Sequence, residues 1–167
     1  GTGTNGQSLT DGIIIDCSRH MHDIRELNLE QGWVKVGPGV VLDQLNDFLR
    51  PHGVFFAPNL SPSSRATLGG MINTDACGKG SRVYGRTSNH LVELSCFLSN
   101  GEELHSVPLN PKELTDRKEA SGRAGQVYRV VDEIVCQQAE QIKEIFPKMS
   151  RFMTGYNWAG VYSNDQQ

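Results

Sequence analysis

The chain has no apolar run near the ~20 residues a helix needs to cross a bilayer, and no signal-peptide pattern. It has no Lys/Arg-rich run, and a formal net charge of −3 is too mild to suggest nucleic acid as a partner. No transmembrane segment is expected, and a cytoplasmic location is the expectation. Its cysteines, Cys17, Cys77, Cys96 and Cys136, form no C-x-x-C pair and no Cys/His cluster, so zinc or iron–sulfur ligation within this stretch is not expected. Cys96 falls in an apolar strand pattern and Cys136 in a helical one, and both are expected to be buried thiols. His20 and His22 lie at i, i+2 with no carboxylate or cysteine at ligand spacing, which makes them solvated loop residues and leaves no metal site. No internal repeat or low-complexity segment appears. At 167 residues the chain can hold one modest core.

What the chain does have is glycine in particular places. The opening hexapeptide, Gly1-Thr2-Gly3-Thr4-Asn5-Gly6, matches G-x-G-x-x-G. That fingerprint belongs between a strand and a long helix. Here neither flank fits, because Gln7-Ser8-Leu9-Thr10-Asp11-Gly12 is turn-like and Ile13-Ile14-Ile15-Asp16 reads as a strand. The loop can still offer backbone N–H groups and hydroxyls to phosphate oxygens as a nest of amides. An ordinary surface N-terminus would read the same way.

A second glycine segment spans 57–85 and is rich in small residues and turn formers. Within it, Thr67-Leu68-Gly69-Gly70-Met71-Ile72 has the grammar of a helix start, with Thr67 as N-cap. Each glycine in a helix costs about 1 kcal/mol relative to alanine. The cost makes sense where something approaches the backbone more closely than a Cβ allows. A glycine-rich surface loop is the alternative.

The remaining pattern predicts an α+β domain. Strands are expected near 13–17, 26–30, 33–37 and 53–57, with a hairpin of 91–99 and 102–107 turning at Ser99-Asn100-Gly101. A helix near 41–50 carries Val41, Leu45, Phe48 and Leu49 on one face and stops at Pro51-His52-Gly53. Asn110-Pro111-Lys112-Glu113 reads as a capping box with proline at the first helical position. One long helix near 124–146 carries Val127, Val131, Ile134, Ile142 and Ile145 on a stripe and ends at Pro147. These stripes are core. The sheet is expected to be mostly antiparallel, flanked by the two helices.

Several motifs in fixed order carry a resemblance. Gly-Thr-Gly-Thr-Asn-Gly-Gln-Ser-Leu at 1–9, Phe56-Ala57-Pro58-Asn59, Ala66-Thr67-Leu68-Gly69-Gly70-Met71 and Val83-Tyr84-Gly85 resemble the FAD-binding PCMH-type domain of the vanillyl-alcohol-oxidase superfamily. Within it the pattern is most similar to the FAD-linked D-2-hydroxyacid dehydrogenases: glycolate oxidase, D-lactate and D-2-hydroxyglutarate dehydrogenases. The run Leu-Ser-Pro-Ser-Ser-Arg-Ala-Thr-Leu-Gly-Gly-Met-Ile-Asn-Thr-Asp-Ala resembles the large bacterial members fused to an iron–sulfur domain. The resemblance covers most of 1–107, with an echo at Thr154-Gly155-Tyr156-Asn157.

The resemblance implies noncovalent FAD, since the opening loop lacks the family's histidyl-flavin histidine and the Cys77 motif differs from that of cysteine-linked members. It gives the pyrophosphate to Gly1, Thr2, Gly3, Thr4, Asn5, Gly6, Gln7 and Ser8. Pro58, Ser61, Thr67, Leu68, Gly69 and Gly70 would line the ribityl and flavin side, the helix start adding partial positive charge. Thr74, Asp75, Gly78, Tyr84 and Gly85 complete the set. Asp75 stands where many relatives have asparagine. A carboxylate near the isoalloxazine would repel an anionic reduced flavin unless paired, and Lys79, Arg82 and Arg86 are the candidate partners.

The resemblance also implies a longer enzyme. Residues 1–146 would be a PCMH-type domain lacking its first lobe, and 147–167 a tail leading to a C-terminal part. That part is expected to hold the catalytic base and substrate-clamping residues, so no catalytic residue is named here. The implied reaction is oxidation of a D-2-hydroxy acid to the 2-oxo acid. Electrons would pass to a quinone or an iron–sulfur domain of the parent, a route that could bring the enzyme to a membrane. The isolated chain is expected to hold FAD weakly and to be inactive. Two alternatives remain: an FAD-dependent enolpyruvyl sugar-nucleotide reductase of the same superfamily, and a non-enzymatic interaction module with a degenerate flavin fold.

Overall fold

The computed structural model describes residues 2–4, 6, 8–149 and 156–162. By backbone contacts it divides into two units, Gly1–His90 and Leu91–Gln167.

In the first unit, β1 (Ile24–Asn28) and β2 (Trp33–Val36) pair antiparallel, Leu27 opposite Val34, with a register shift between Ile24 and Glu26. Helix α1 (Leu42–Leu49) buries Leu42, Leu45 and Leu49, the i, i+3, i+7 face of its sequence. It tightens into a 3-10 turn at Arg50–His52 and ends at Gly53, whose φ of 73° a side chain would resist. Val40, Ala66, Leu68 and Met71 close the core against α1, with Ile24, Leu27, Val34, Val36 and Phe56 packed around it. Two short helices follow, α2 (Leu68–Asn73) and α3 (Ser81–Tyr84).

In the second unit, β3 (Leu94–Phe97) and β4 (Glu103–Ser106) form an antiparallel hairpin. Its turn holds Asn100 and Gly101, as their sequence requires. Helix α4 (Pro111–Glu119) opens on a complete capping box: Asn110 Oδ1 accepts the Glu113 N–H at 3.0 Å, and Glu113 Oε2 accepts the Asn110 N–H at 2.7 Å. Helix α5 (Gly122–Gln137) is capped from a distance, because Glu102 Oε2 in the hairpin turn accepts the N–H groups of Arg123 at 2.7 Å and Ala124 at 3.1 Å. Those bonds, Ala124 first, hold the Glu102 carboxyl below its ordinary range. Helix α6 (Ala139–Ile145) follows.

The α+β class and the antiparallel pairing are as expected, but the sheet is two separate two-stranded sheets. Four local expectations are corrected. No strand forms at 13–17, where Ile13 and Ile15 are 91% and 79% exposed and have no strand beside them among the described residues. None forms at 53–57 either. There the Asn46 side chain plays the part of a neighbouring strand, accepting the Phe56 N–H at 2.8 Å and donating to the Phe56 carbonyl at 3.4 Å. The long helix is two helices, broken at Gln138, whose φ of −108° and ψ of 16° leave the helical range. Cys136 is exposed rather than buried, and Cys96 is half-buried.

Candidate functional site

The first unit is held by a stack of close backbone approaches centred on Gly37-Pro38-Gly39. The Gly37 N–H donates to Asp23 O, the Gly39 N–H to Met21 O and the Gly69 N–H to Pro38 O, each at 2.8 Å. Leu68 N–H donates to Val40 O at 2.8 Å, and a single antiparallel bridge joins Val41 to Thr67. The first two amides of α2 are thus spent on the protein itself. A Cβ on Gly69 would lie 2.7 Å from Pro38 Cβ, so at this position the close neighbour is a proline. Gly70 differs. It is exposed, and its Cβ would meet nothing nearer than Thr67 Oγ1 at 3.3 Å.

Downstream, the chain from α2 to His90 is tied into a closed loop. Thr74 Oγ1 donates to Gly70 O at 2.9 Å. Gly78 fits against 59–60 only as glycine, since a Cβ would stand 2.0 Å from Asn59 O. Asp75 adopts a left-handed φ of 44°, accepts the Ser88 N–H on Oδ1 at 2.9 Å, and places Oδ2 3.1 Å from Arg86 Nη1. Of the three cations that could have paired with Asp75, Arg86 does so. Thr87, nearly fully buried, donates both its N–H (3.1 Å) and its hydroxyl (2.7 Å) to Ala76 O. His90 Nε2 lies 2.7 Å from the Tyr84 carbonyl, which can only accept, so that nitrogen carries the proton. Tyr84 also meets Phe55 edge-on at 5.8 Å.

Pro58 is fully buried, Leu68 is core, and Thr67, Gly69, Thr74, Asp75, Gly78 and Gly85 are half-buried; Ser61, Gly70 and Tyr84 are exposed. In the opening loop Thr2, Gly3, Thr4, Gly6 and Ser8 are exposed, and Gly6 has a φ of 76° and accepts the Leu9 N–H at 2.9 Å. Gly1, Asn5 and Gln7 lie outside the described residues, as do Thr154 and Gly155 of the Thr154-Gly155-Tyr156-Asn157 echo. The bonds that close 67–90 include none to a described residue of the opening loop. Sequence reasoning missed Gly37, Gly39 and the Arg86–Asn89 turn, in which Asn89 Oδ1 accepts the Arg86 N–H at 2.8 Å. The Gly-Pro-Gly punctuation was the available signal for the first two.

These residues suit a nucleotide cofactor on two counts. The opening loop has hydroxyls, a left-handed glycine and no charged residue before Asp11 to oppose a phosphate. The Gly70 backbone is exposed, a Cβ there meeting only the Thr67 hydroxyl at 3.3 Å, and the one carboxylate in the loop beyond it is ion-paired with Arg86.

A short-helix scaffold with glycine cradles and a nucleotide-compatible loop defines the class, and sequence comparison places the chain in it. Residues 1–106 match the FAD binding domain family. The chain belongs to that family. It is 57% identical over 159 residues to the D-2-hydroxyglutarate dehydrogenase of Pseudomonas putida, covering 95% of this chain. The Escherichia coli D-2-hydroxyglutarate dehydrogenase is 51% identical over 166 residues, or 99% of this chain. The glycolate oxidase subunit GlcD of Bacillus subtilis is 31% identical over 105 residues, 61% of this chain and 22% of that protein. The chain spans 16% of the length of the two dehydrogenases. No solved structure matches it.

Proposed function

We propose that the chain is the FAD-binding portion of an oxidoreductase that oxidises a D-2-hydroxy acid to the 2-oxo acid, with D-2-hydroxyglutarate as substrate ahead of D-lactate and glycolate. The observation that carries this is the similarity to D-2-hydroxyglutarate dehydrogenases along almost the whole chain, whereas the likeness to the glycolate oxidase subunit is weaker and partial. FAD, when bound, would accept the two electrons removed from the substrate carbon.

The chain's own residues bind and orient. The loop Gly1, Thr2, Gly3, Thr4, Asn5, Gly6, Gln7, Ser8 would cradle the pyrophosphate with amides and hydroxyls. Ser61, Thr67 and the exposed backbone at Gly70 would border the ribityl chain. Thr74, Asp75, Tyr84 and Gly85 would border the ring, while Pro58, Leu68, Gly69 and Gly78 fix the shape of that wall from behind. No helix of the described residues is long and apolar enough to cross a membrane. A quinone or an iron–sulfur domain of the parent would take the electrons, in a cytoplasmic enzyme that meets the membrane through its acceptor.

The test is turnover of the purified full-length protein with an artificial electron acceptor. The expected order of kcat/KM is D-2-hydroxyglutarate above D-lactate and glycolate. Preference for glycolate or D-lactate would overturn the assignment of substrate, and activity with none of the three would overturn the reaction.

A further inference from the structure

We propose that Asp75 and Arg86 are a matched pair of positioning residues that close the flavin-side loop while offsetting each other's charge, and so help set the reduction potential of the flavin. The inference rests on the reading above, that residues 67–85 face the cofactor.

Asp75 is the residue other than glycine with positive φ among the described residues. At φ 44° glycine would be free of strain, and asparagine or aspartate is tolerated. A carboxylate at such a position is informative because one oxygen is hydrogen-bonded and the other, buried and without a hydrogen bond, has an ion-pair contact with Arg86. Oδ1 accepts the Ser88 N–H at 2.9 Å, and Oδ2 sits 3.1 Å from Arg86 Nη1. The pair is mostly withdrawn from water, with 21% of the Asp75 side chain and 12% of the Arg86 side chain exposed. Beside it, Ala76 O takes both donors of Thr87. The loop between 75 and 88 is therefore clipped shut at its base, and the base carries one charge of each sign.

The bond to Ser88 does not need that charge, since an amide oxygen would accept the same N–H. What the charge adds is the pairing with Arg86. Partly buried ion pairs contribute little net stability, but removing one partner takes away the opposite charge it placed beside the other. A flavin gains negative charge on reduction. Without Arg86 the Asp75 carboxylate would oppose that charge, and without Asp75 the Arg86 guanidinium would favour it. Together they cancel.

The experiment is the flavin midpoint potential of the full-length holoenzyme, measured by dye-equilibrated reductive titration, with FAD content and far-UV circular dichroism recorded for each variant. Arg86→Gln should shift the potential to more negative values. Asp75→Asn keeps the left-handed backbone and the Ser88 acceptor, and should shift it to more positive values. The double variant should return close to wild type. If Arg86→Gln fails to fold, Arg86→Lys should keep the wild-type potential, and Asp75→Asn still reports its own shift. Single variants that lose FAD while the retained flavin keeps its wild-type potential would reduce the pair to a structural clip and overturn the proposal. So would shifts of the same sign, or a double variant that fails to cancel. A wild-type holoenzyme without flavin would contradict the functional reading itself, and this would be seen before any variant is made.

Discussion

Gly69→Ala is the sharpest probe of why this chain spends glycines at a helix start. Helix propensity alone favours the substitution by about 1 kcal/mol. The structure predicts the opposite sign. The new Cβ would stand 2.7 Å from Pro38 Cβ and 3.0 Å from Pro38 O, about 1 Å inside ordinary carbon–carbon contact. Neither neighbour is the end of a flexible side chain. Pro38 is held between Gly37 and Gly39, whose own N–H groups are bonded to Asp23 O and Met21 O, and Pro38 O already accepts the Gly69 N–H. Overpacking of this kind costs about 1–3 kcal/mol. Set against the propensity gain, the upper half of that range leaves a net loss of about 1–2 kcal/mol. For a chain of this length that is a melting temperature lower by roughly 2–8 °C. Thermal unfolding followed by far-UV circular dichroism reads it directly. A Gly69→Ala chain as stable as wild type, or more so, would refute the packing argument. It would also return Gly69 to the group of glycines kept clear for a ligand.

Other outcomes follow from the same geometry. Gly70→Ala meets only the Thr67 hydroxyl, so stability should hold or rise by up to about 1 kcal/mol while FAD content of the full-length enzyme falls; full flavin retention would place Gly70 away from the cofactor. Asn110→Ala removes the side-chain acceptor of the Glu113 N–H, leaving only the backbone N–H bond to Glu113 Oε2 in the α4 capping box, and should cost about 1 kcal/mol in denaturant unfolding. In the second unit, Lys118 and then the Tyr162 hydroxyl hold the Asp132 carboxyl below its ordinary 3.8, and the same contact pushes the Tyr162 phenol up. A depressed carboxylate stabilises fully above its unfolded value, and that contribution is lost as pH falls below about 3.8 toward the folded value. Asp132→Asn should therefore lower stability near neutral pH and flatten the acid-side decline. An acid-side decline as steep as that of wild type would contradict this.

Local chemistry was the legible part of this chain. The α1 helix, the Asn110 capping box and the Asn100-Gly101 turn are set by neighbours within a few residues and appear where the sequence puts them. The buried face of α1, however, is Leu42, Leu45 and Leu49, with Val41 as N-cap and Phe48 exposed rather than in the core. The 53–57 strand looked equally local but was not, because its partner is one side chain, Asn46, with no periodic signature. Residues 13–15 have strand composition, yet a ladder needs a second strand, and composition does not supply one. The break at Gln138 is a single-residue change of dihedral inside an unbroken helical pattern. In the candidate site, the order of glycine motifs pointed to the right family from residues alone, as the match over 1–106 bears out. Which glycines pack against rigid backbone was not readable. Gly69 and Gly70 are indistinguishable as letters, and only the position of Pro38 separates them. Likewise, three cations were available to Asp75 by sequence, and tertiary contact selects Arg86.

The most direct test of the central claim is a single anaerobic mixing experiment on the purified full-length protein. Its visible flavin absorption band should be present at rest and should bleach on addition of D-2-hydroxyglutarate, with the L-enantiomer leaving it unchanged. A protein that carries flavin but keeps its oxidised spectrum with the D-acid would contradict the assignment of function. One with no flavin band at all would contradict the assignment of residues 1–85 as a cofactor site.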